Sequence, residues 1–196
     1  MEILRGENPL FIFQNWMAEA EKTEPSDPNA MALATATPEG VPSVRMVLLK
    51  DYGEDGFTFY TNAESRKGLE LVQNPQAALC LHWKSLDRQV RIEGRVEKVP
   101  APLVDAYFKT RHYLSRLGAW ASSQSQPLDN RIELEERVKV LEEQYGQENI
   151  PRPPHWAGYR VVPEKIEFWQ AGAGRLHDRF LFTRTGDGWD VVRLNP

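Results

Sequence analysis

The chain has a single cysteine, Cys80, among its 196 residues. An intrachain disulfide is therefore impossible, and a thiolate metal cluster is excluded. Cys80 sits in an apolar run, Ala77-Ala78-Leu79-Cys80-Leu81, and reads as a small buried residue. No apolar run approaches the ~20 residues that a membrane-spanning helix needs. The N-terminus carries no secretory apolar core, so a reducing, cytoplasmic setting is expected. Positive charge is not in excess. The net charge of −4 argues against broad nucleic-acid or membrane-surface binding, although local basic clusters can still take a small anion. The histidines His82, His112, His155 and His177 show no metal-ligand spacing, so no metal is expected. HExxH, CxxC, GxSxG and Walker signatures are all missing. Gly172-Ala173-Gly174-Arg175-Leu176-His177 begins like a dinucleotide fingerprint but ends in His and leads into a strand-like segment.

What is present is enough chain for one domain, 1–196, with its own core. Residues 1–7 are polar and are expected to be mobile. Asn8-Pro9 is a helix start, and Leu10, Phe13, Met17 and Ala20 give helical spacing over about 9–22. Short strands follow: Ala30 to Ala36, Ser43 to Lys50, Phe57 to Thr61, Gln76 to Trp83 and Gln89 to Val99. Asp51 to Gly56 reads as a turn, and Glu64 to Val72 as a short helix stopped by Asn74-Pro75. A helical insertion spans about 102–145, with helices from Pro102 to about Arg111 and from about Asn130 to Tyr145. The charges of the second helix read as a solvated face. The tail, 158–196, returns to strands over Gly158 to Val162, Lys165 to Gln170, Arg179 to Arg184 and Trp189 to Leu194. Thr185-Gly186-Asp187-Gly188 joins the last two as a hairpin turn. Strands dominate without regular strand–helix alternation. The expected fold is mainly β with inserted helices, a closed or nearly closed antiparallel barrel.

Cations placed on strands and strand ends carry the chemistry. Arg45 and Lys50 bracket Met46-Val47-Leu48-Leu49, and a charge in a core-like strand is costly unless it meets an anion. Arg66 and Lys67 follow Tyr60-Thr61 at an expected helix start, where Ser65 and Thr61 add donors suited to a phosphate. Taken singly, each pair is also what surface charge near a turn looks like. Tyr107, Arg111 and Ser115 would share a face on one continuous helix. Spacing alone favours the plainer reading, a Tyr packed on its own helix beside exposed Arg and Ser. Trp169 could pack on a flat ring, but Trp more often serves as plain core.

These motifs, in this order, resemble one family. They are Arg45-Met46-Val47-Leu48-Leu49-Lys50, Phe59-Tyr60-Thr61-Asn62 with Ser65-Arg66-Lys67, Arg88-Gln89-Val90, and Tyr107-Phe108 with Arg111 and Ser115. Gly118-Ala119-Trp120, Gln124-Ser125, Ile166-Glu167-Phe168-Trp169-Gln170 and Arg175-Leu176-His177-Asp178-Arg179 complete the set. Over about Asn8 to Pro196 the chain resembles the pyridoxine (pyridoxamine) 5′-phosphate oxidase family. The resemblance implies an FMN-binding split barrel, Greek-key-like, working as a homodimer with FMN at the interface. It assigns the cofactor to Arg45, Met46, Val47, Leu48, Leu49, Lys50, Tyr60, Thr61, Arg66, Lys67, Gln89, Gln124, Ser125, Trp169 and Arg179. It assigns the substrate to Lys50, Tyr107, Arg111, Ser115, Arg175, Leu176 and His177, with Arg175 and His177 lining the reacting face. The implied reaction oxidises pyridoxamine or pyridoxine 5′-phosphate to pyridoxal 5′-phosphate. Hydride passes from C4′ to flavin N5, and dioxygen reoxidises the flavin to give hydrogen peroxide.

The sequence departs from the family pattern in places. Ala171-Gly172 stands where Gly-Gly is common, and His112 where Pro is common. The family's basic N-terminal arm has no counterpart before the first helix, which implies a more open site. That gap motivates a rival reading, a module that binds FMN or pyridoxal phosphate without turnover. A third reading is a split-barrel flavin oxidoreductase acting on another ring. It should lack the Tyr107–Arg111–Ser115 and Arg175–His177 sets, which are present here. Asp178 is expected to be structural, orienting neighbouring cations.

Overall fold

The structure is a computed structural model that describes residues 8–196. Residues 1–7, including the expected mobile start, lie outside the described residues. Helix α1 (Pro9–Thr23) starts as expected, with the Asn8 side chain accepting from the Leu10 N–H. Its apolar side, Leu10, Phe13, Trp16, Met17 and Ala20, is buried. Phe13 is fully buried and meets Tyr52 and Phe57 edge-on at 4.9 and 5.0 Å. The helix thus plugs one side of the sheet core. No described helix is long and apolar enough to cross a membrane.

Among the described residues, nine strands form one antiparallel sheet: β1 (Ala30–Ala36), β2 (Pro42–Leu48), β3 (Asp51–Gly53), β4 (Gly56–Asn62), β5 (Gln76–Trp83), β6 (Arg88–Lys98), β7 (Trp156–Gln170), β8 (Asp178–Thr185) and β9 (Gly188–Leu194). The order is β2-β1-β5-β6-β7-β4-β3, with β8 also on β7 and β9 on β8. The sheet therefore forks along β7. Its first half, through Val161, pairs with β4, and its second half, from Lys165, pairs with β8.

The tail from 158 to 170 was expected as two strands. It is one 15-residue strand that runs through Pro163. A register shift at Glu93/Gly94 of β6 faces Pro163, the kind of irregularity that lets a strand hold a proline. Gly94 makes this possible, because a Cβ there would lie 2.0 Å from the Val162 carbonyl oxygen. The expected turn at Asp51 to Gly56 contains β3, which pairs with β4 as a hairpin.

The helices are α2 (Arg66–Gln73), α3 (Ala101–Thr110), α4 (Tyr113–Ala121) and α5 (Arg131–Tyr145). Helix α5 buries none of its residues and carries the solvated face expected of it. Helix α4 was not expected, and it changes the Tyr107–Arg111–Ser115 set. These residues do not share one continuous helix. Arg111 closes α3 and His112 opens α4, both with extended backbone, so the chain bends between Tyr107 and Ser115.

Candidate active site

A cleft of about 500 Å³ opens between β2, β4, the start of α2 and the α3–α4 bend. Sequence alternation places its first wall. On β2, Ser43, Arg45 and Val47 turn inward while Val44, Met46 and Leu48 are exposed. Met46, Val47, Leu48 and Lys50 line the cleft, whereas Leu49 belongs to the core.

The second wall is the turn into α2. Ser65 caps the helix, its hydroxyl accepting from the Gly68 N–H. Lys67 is only 7% exposed, yet its ammonium meets no carboxylate among the described residues. It donates instead to Thr61 Oγ1 at 3.2 Å, Ser65 Oγ at 3.3 Å and Gln124 Oε1 at 3.0 Å. Burial lowers its pKa, and the nearby Arg45 adds to the effect. A buried ammonium held only by neutral oxygens is poised for an anion.

The third wall holds a half-buried cation. Arg111 lies over the Trp156 ring, 4.9 Å from its centroid. Its Nη1 is buried and has no hydrogen-bond partner among the described residues. Burial lowers this pKa too. Tyr60 stacks on Tyr107 at 4.2 Å and on Trp156 at 5.1 Å, so the floor of the cleft is aromatic. Lys50, Tyr107 and Ser115 face the same space. The plainer reading of the Tyr–Arg–Ser set, a packed Tyr beside exposed Arg and Ser, gives way to this shared cleft. Sequence reasoning missed Trp156, which follows a proline-rich connector and carries no motif signal of its own.

Other expected site residues lie elsewhere. Arg45 and Arg66 both reach Glu70, at 3.5 and 2.9 Å. Arg66 and Ser125 border a neighbouring hollow. Ser125 holds a left-handed φ of 72°. None of Gln89, Trp169, Arg175, Leu176, His177 or Arg179 lines the cleft. Gln89 and Trp169 are register partners, as are Trp169 and Arg179. Trp156 opens β7 and Trp169 lies near its other end; a strand of this length extends about 45 Å along its path.

The loop after β7 is tightly built. The Gly172 N–H donates to His177 Nδ1 at 3.2 Å, so a neutral His177 carries its proton on Nε2. The ring lies 4.7 Å from that of Trp169. A Cβ on Gly172 would meet the Leu176 oxygen at 1.9 Å, so only glycine fits. Arg175 holds a left-handed φ of 64°, which is uncommon for a residue with a side chain. Leu176 is 75% exposed. Arg179 pairs with the buried Glu167 at 2.8 Å and donates to the Asn195 oxygen. Asp178 pairs with Arg193 at 2.6 Å.

One family description, pyridoxamine 5′-phosphate oxidase, matches residues 17–170. The chain belongs to that family. A second description, the pyridoxine 5′-phosphate oxidase C-terminal dimerisation region, matches residues 156–196. The chain is 61% identical over 189 residues to the pyridoxine/pyridoxamine 5′-phosphate oxidase of Gluconobacter oxydans, covering 96% of this chain and 94% of that protein. It is 57% identical to the enzyme of the same name from Rhodospirillum rubrum, with both chains fully covered. Among solved structures, PhzG from Burkholderia lata 383, in complex with tetrahydrophenazine-1-carboxylic acid, superposes with a TM-score of 0.90 at 31% identity. That match covers 100% of this chain and 99% of PhzG. An FMN-binding protein of Nostoc punctiforme shares the fold at a TM-score of 0.77 and 18% identity, covering 97% and 99%. The expected split-barrel class is the class of these family relatives.

Proposed function

We propose that the chain, as a homodimer, oxidises pyridoxamine and pyridoxine 5′-phosphate to pyridoxal 5′-phosphate with FMN as cofactor and dioxygen as final acceptor. The observation that carries this reading is a pair of cations that meet no carboxylate among the described residues and line one cleft, the buried Lys67 and the half-buried Arg111 with its buried, unpartnered Nη1. Two phosphorylated ligands need two such grips.

Lys67, Thr61 and Gln124, at the positive end of α2, with the neighbouring Arg45 and Arg66, suit the FMN phosphate. Lys50, Tyr107, Arg111 and Ser115 suit the substrate phosphate. FMN, when bound, supplies the acceptor for the hydride leaving C4′ and passes the electrons to dioxygen, giving hydrogen peroxide. The chain's own part is to position and to exclude water. Met46 and Leu48 offer an apolar wall, and the aromatic floor fixes Arg111 in its plane. Arg175 and His177 complete the reacting face from a second copy, because their loop lies off the cleft of its own chain. Holding the reactants in contact accounts for much of the rate, and no residue has to act as a strong base.

The test is to purify the protein, record its flavin spectrum, and assay peroxide and pyridoxal phosphate with pyridoxamine phosphate. A flavin-loaded protein forming neither product would sink the proposal. One observation favours a second reading, oxidation of another ring: the likeness to PhzG, whose bound ligand carries no phosphate. Turnover of a tetrahydrophenazine carboxylate in preference to pyridoxamine phosphate would select it.

A further inference from the structure

We infer that Glu70, which no motif singled out, is the positioning residue of the FMN-phosphate grip, clamping Arg45 and Arg66 without touching the cofactor itself. The inference rests on the proposed FMN site and adds a residue to its construction.

Helix α2 opens with two cations, Arg66 and Lys67, and has no acidic residue in its first turn. Cations at a helix N-terminus oppose the helix dipole, so this order weakens the helix while it suits an anion bound there. The buried Lys67, facing the cleft without a carboxylate, points to the same anion. Three cations thus gather in a small volume, and they repel one another. Burial lowers the pKa of Arg45 most, Glu70 counters it and Arg66 lowers it further; Arg45 in turn lowers that of Lys67, after burial.

Glu70 sits beneath this group at 4% exposure. Its Oε1 accepts from Arg66 Nε at 2.9 Å. Its Oε2 accepts from the Thr35 hydroxyl at 2.5 Å, the Ser43 hydroxyl at 2.6 Å and Arg45 Nη2 at 3.5 Å. Thr35 lies on β1, Ser43 and Arg45 on β2, and Arg66 on α2. One carboxylate therefore ties the phosphate end of the site, α2, to the strand whose Met46 and Leu48 wall the cleft. With both oxygens engaged, it is a fixed anchor rather than a mobile counter-ion.

Simple charge counting and a positioning role predict opposite signs. Removing a negative charge should strengthen phosphate binding if charge alone matters. It should weaken binding if Glu70 sets the direction of the two guanidinium groups. The experiment titrates apo protein with FMN and with riboflavin, which lacks the phosphate, following flavin fluorescence. For Glu70→Gln the FMN dissociation constant is expected to rise about tenfold or more, with riboflavin affinity nearly unchanged. Glu70→Asp should recover part of the loss. Ser43→Ala keeps the charge but removes one donor, and should lose part of the preference for FMN. It serves as the test even if Glu70→Gln does not fold. Unchanged or tighter FMN binding in Glu70→Gln, or an unchanged FMN preference in Ser43→Ala, overturns the role of Glu70 alone. A wild-type chain with no preference for FMN over riboflavin overturns the phosphate site, and the role of Glu70 with it.

Discussion

Arg111 lies face-on to Trp156 at 4.9 Å, and its buried Nη1 has no partner among the described residues. A planar cation stacked on an indole and short of one acceptor is set to receive an oxyanion in a fixed direction. Arg111→Met is expected to raise KM for pyridoxamine phosphate roughly 30-fold, the equivalent of about 2 kcal/mol for a lost charge-assisted contact. FMN affinity should stay close to wild type. Steady-state kinetics beside a flavin titration check the split; loss of flavin together with KM would contradict it.

Lys67 makes the complementary case. Its ammonium is buried among Thr61, Ser65 and Gln124. In the apo protein this buried charge is destabilising, and Lys67→Met removes it. The variant should lose FMN affinity roughly 10- to 100-fold, while its apo form melts about 2–4 °C higher for each kcal/mol gained. Calorimetry of apo protein and a flavin titration give both numbers. An apo variant that melts lower would mean that Lys67 is a structural residue.

Glu70 gives a pH prediction. Burial pushes its carboxyl up, but the Ser43 and Thr35 hydroxyls and the Arg66 guanidinium outweigh burial and hold it at about 2, below the usual 4.5. A depressed carboxyl contributes stability that is present above its unfolded pKa and is lost as pH falls through the folded one. The gap in melting temperature between wild type and Glu70→Gln should be full above pH 5 and shrink as pH falls toward 2. A gap independent of pH would contradict this.

The loop after β7 predicts a turnover defect without a cofactor defect. Gly172→Ala places a Cβ against the Leu176 oxygen and breaks the bond from the Gly172 N–H to His177 Nδ1. The variant should keep FMN and lose turnover about tenfold or more, since small displacements of positioned groups are costly. Rapid-reaction measurement of flavin reduction reads this directly; unchanged reduction would mean that the loop is not part of the site.

Much of this was legible in the residues themselves. Asn8-Pro9 starts α1, and Asn74-Pro75 follows the end of α2, because capping and proline chemistry are local. Lys67 was a candidate because it follows an expected helix start beside Ser65 and Thr61, whereas the spacing of Arg111 from Tyr107 and Ser115 by itself favoured the plainer reading. The continuous β7 was not legible, since Pro163 reads as a break until the register shift at Gly94 is seen across the sheet. Helix α4 was hidden because His112, an unusual cap, starts it, and Gly118 lies in its last turn. Glu70 was passed over as one acid in a short helix. Its spacing of four from Arg66 was the available signal, but its hydroxyl partners come from strands far away in sequence.

Subunit complementation tests most directly whether cleft and loop come from different copies. Arg111→Leu damages the cleft, and Arg175→Leu damages the loop. Each homodimer should be nearly inactive at substrate well below the wild-type KM, with FMN still bound. In a mixed dimer built across two chains, one site pairs both lesions and the other has neither. Co-expression should therefore restore about one quarter of wild-type activity under random pairing. Mixed dimers as inactive as either parent would contradict the two-chain site.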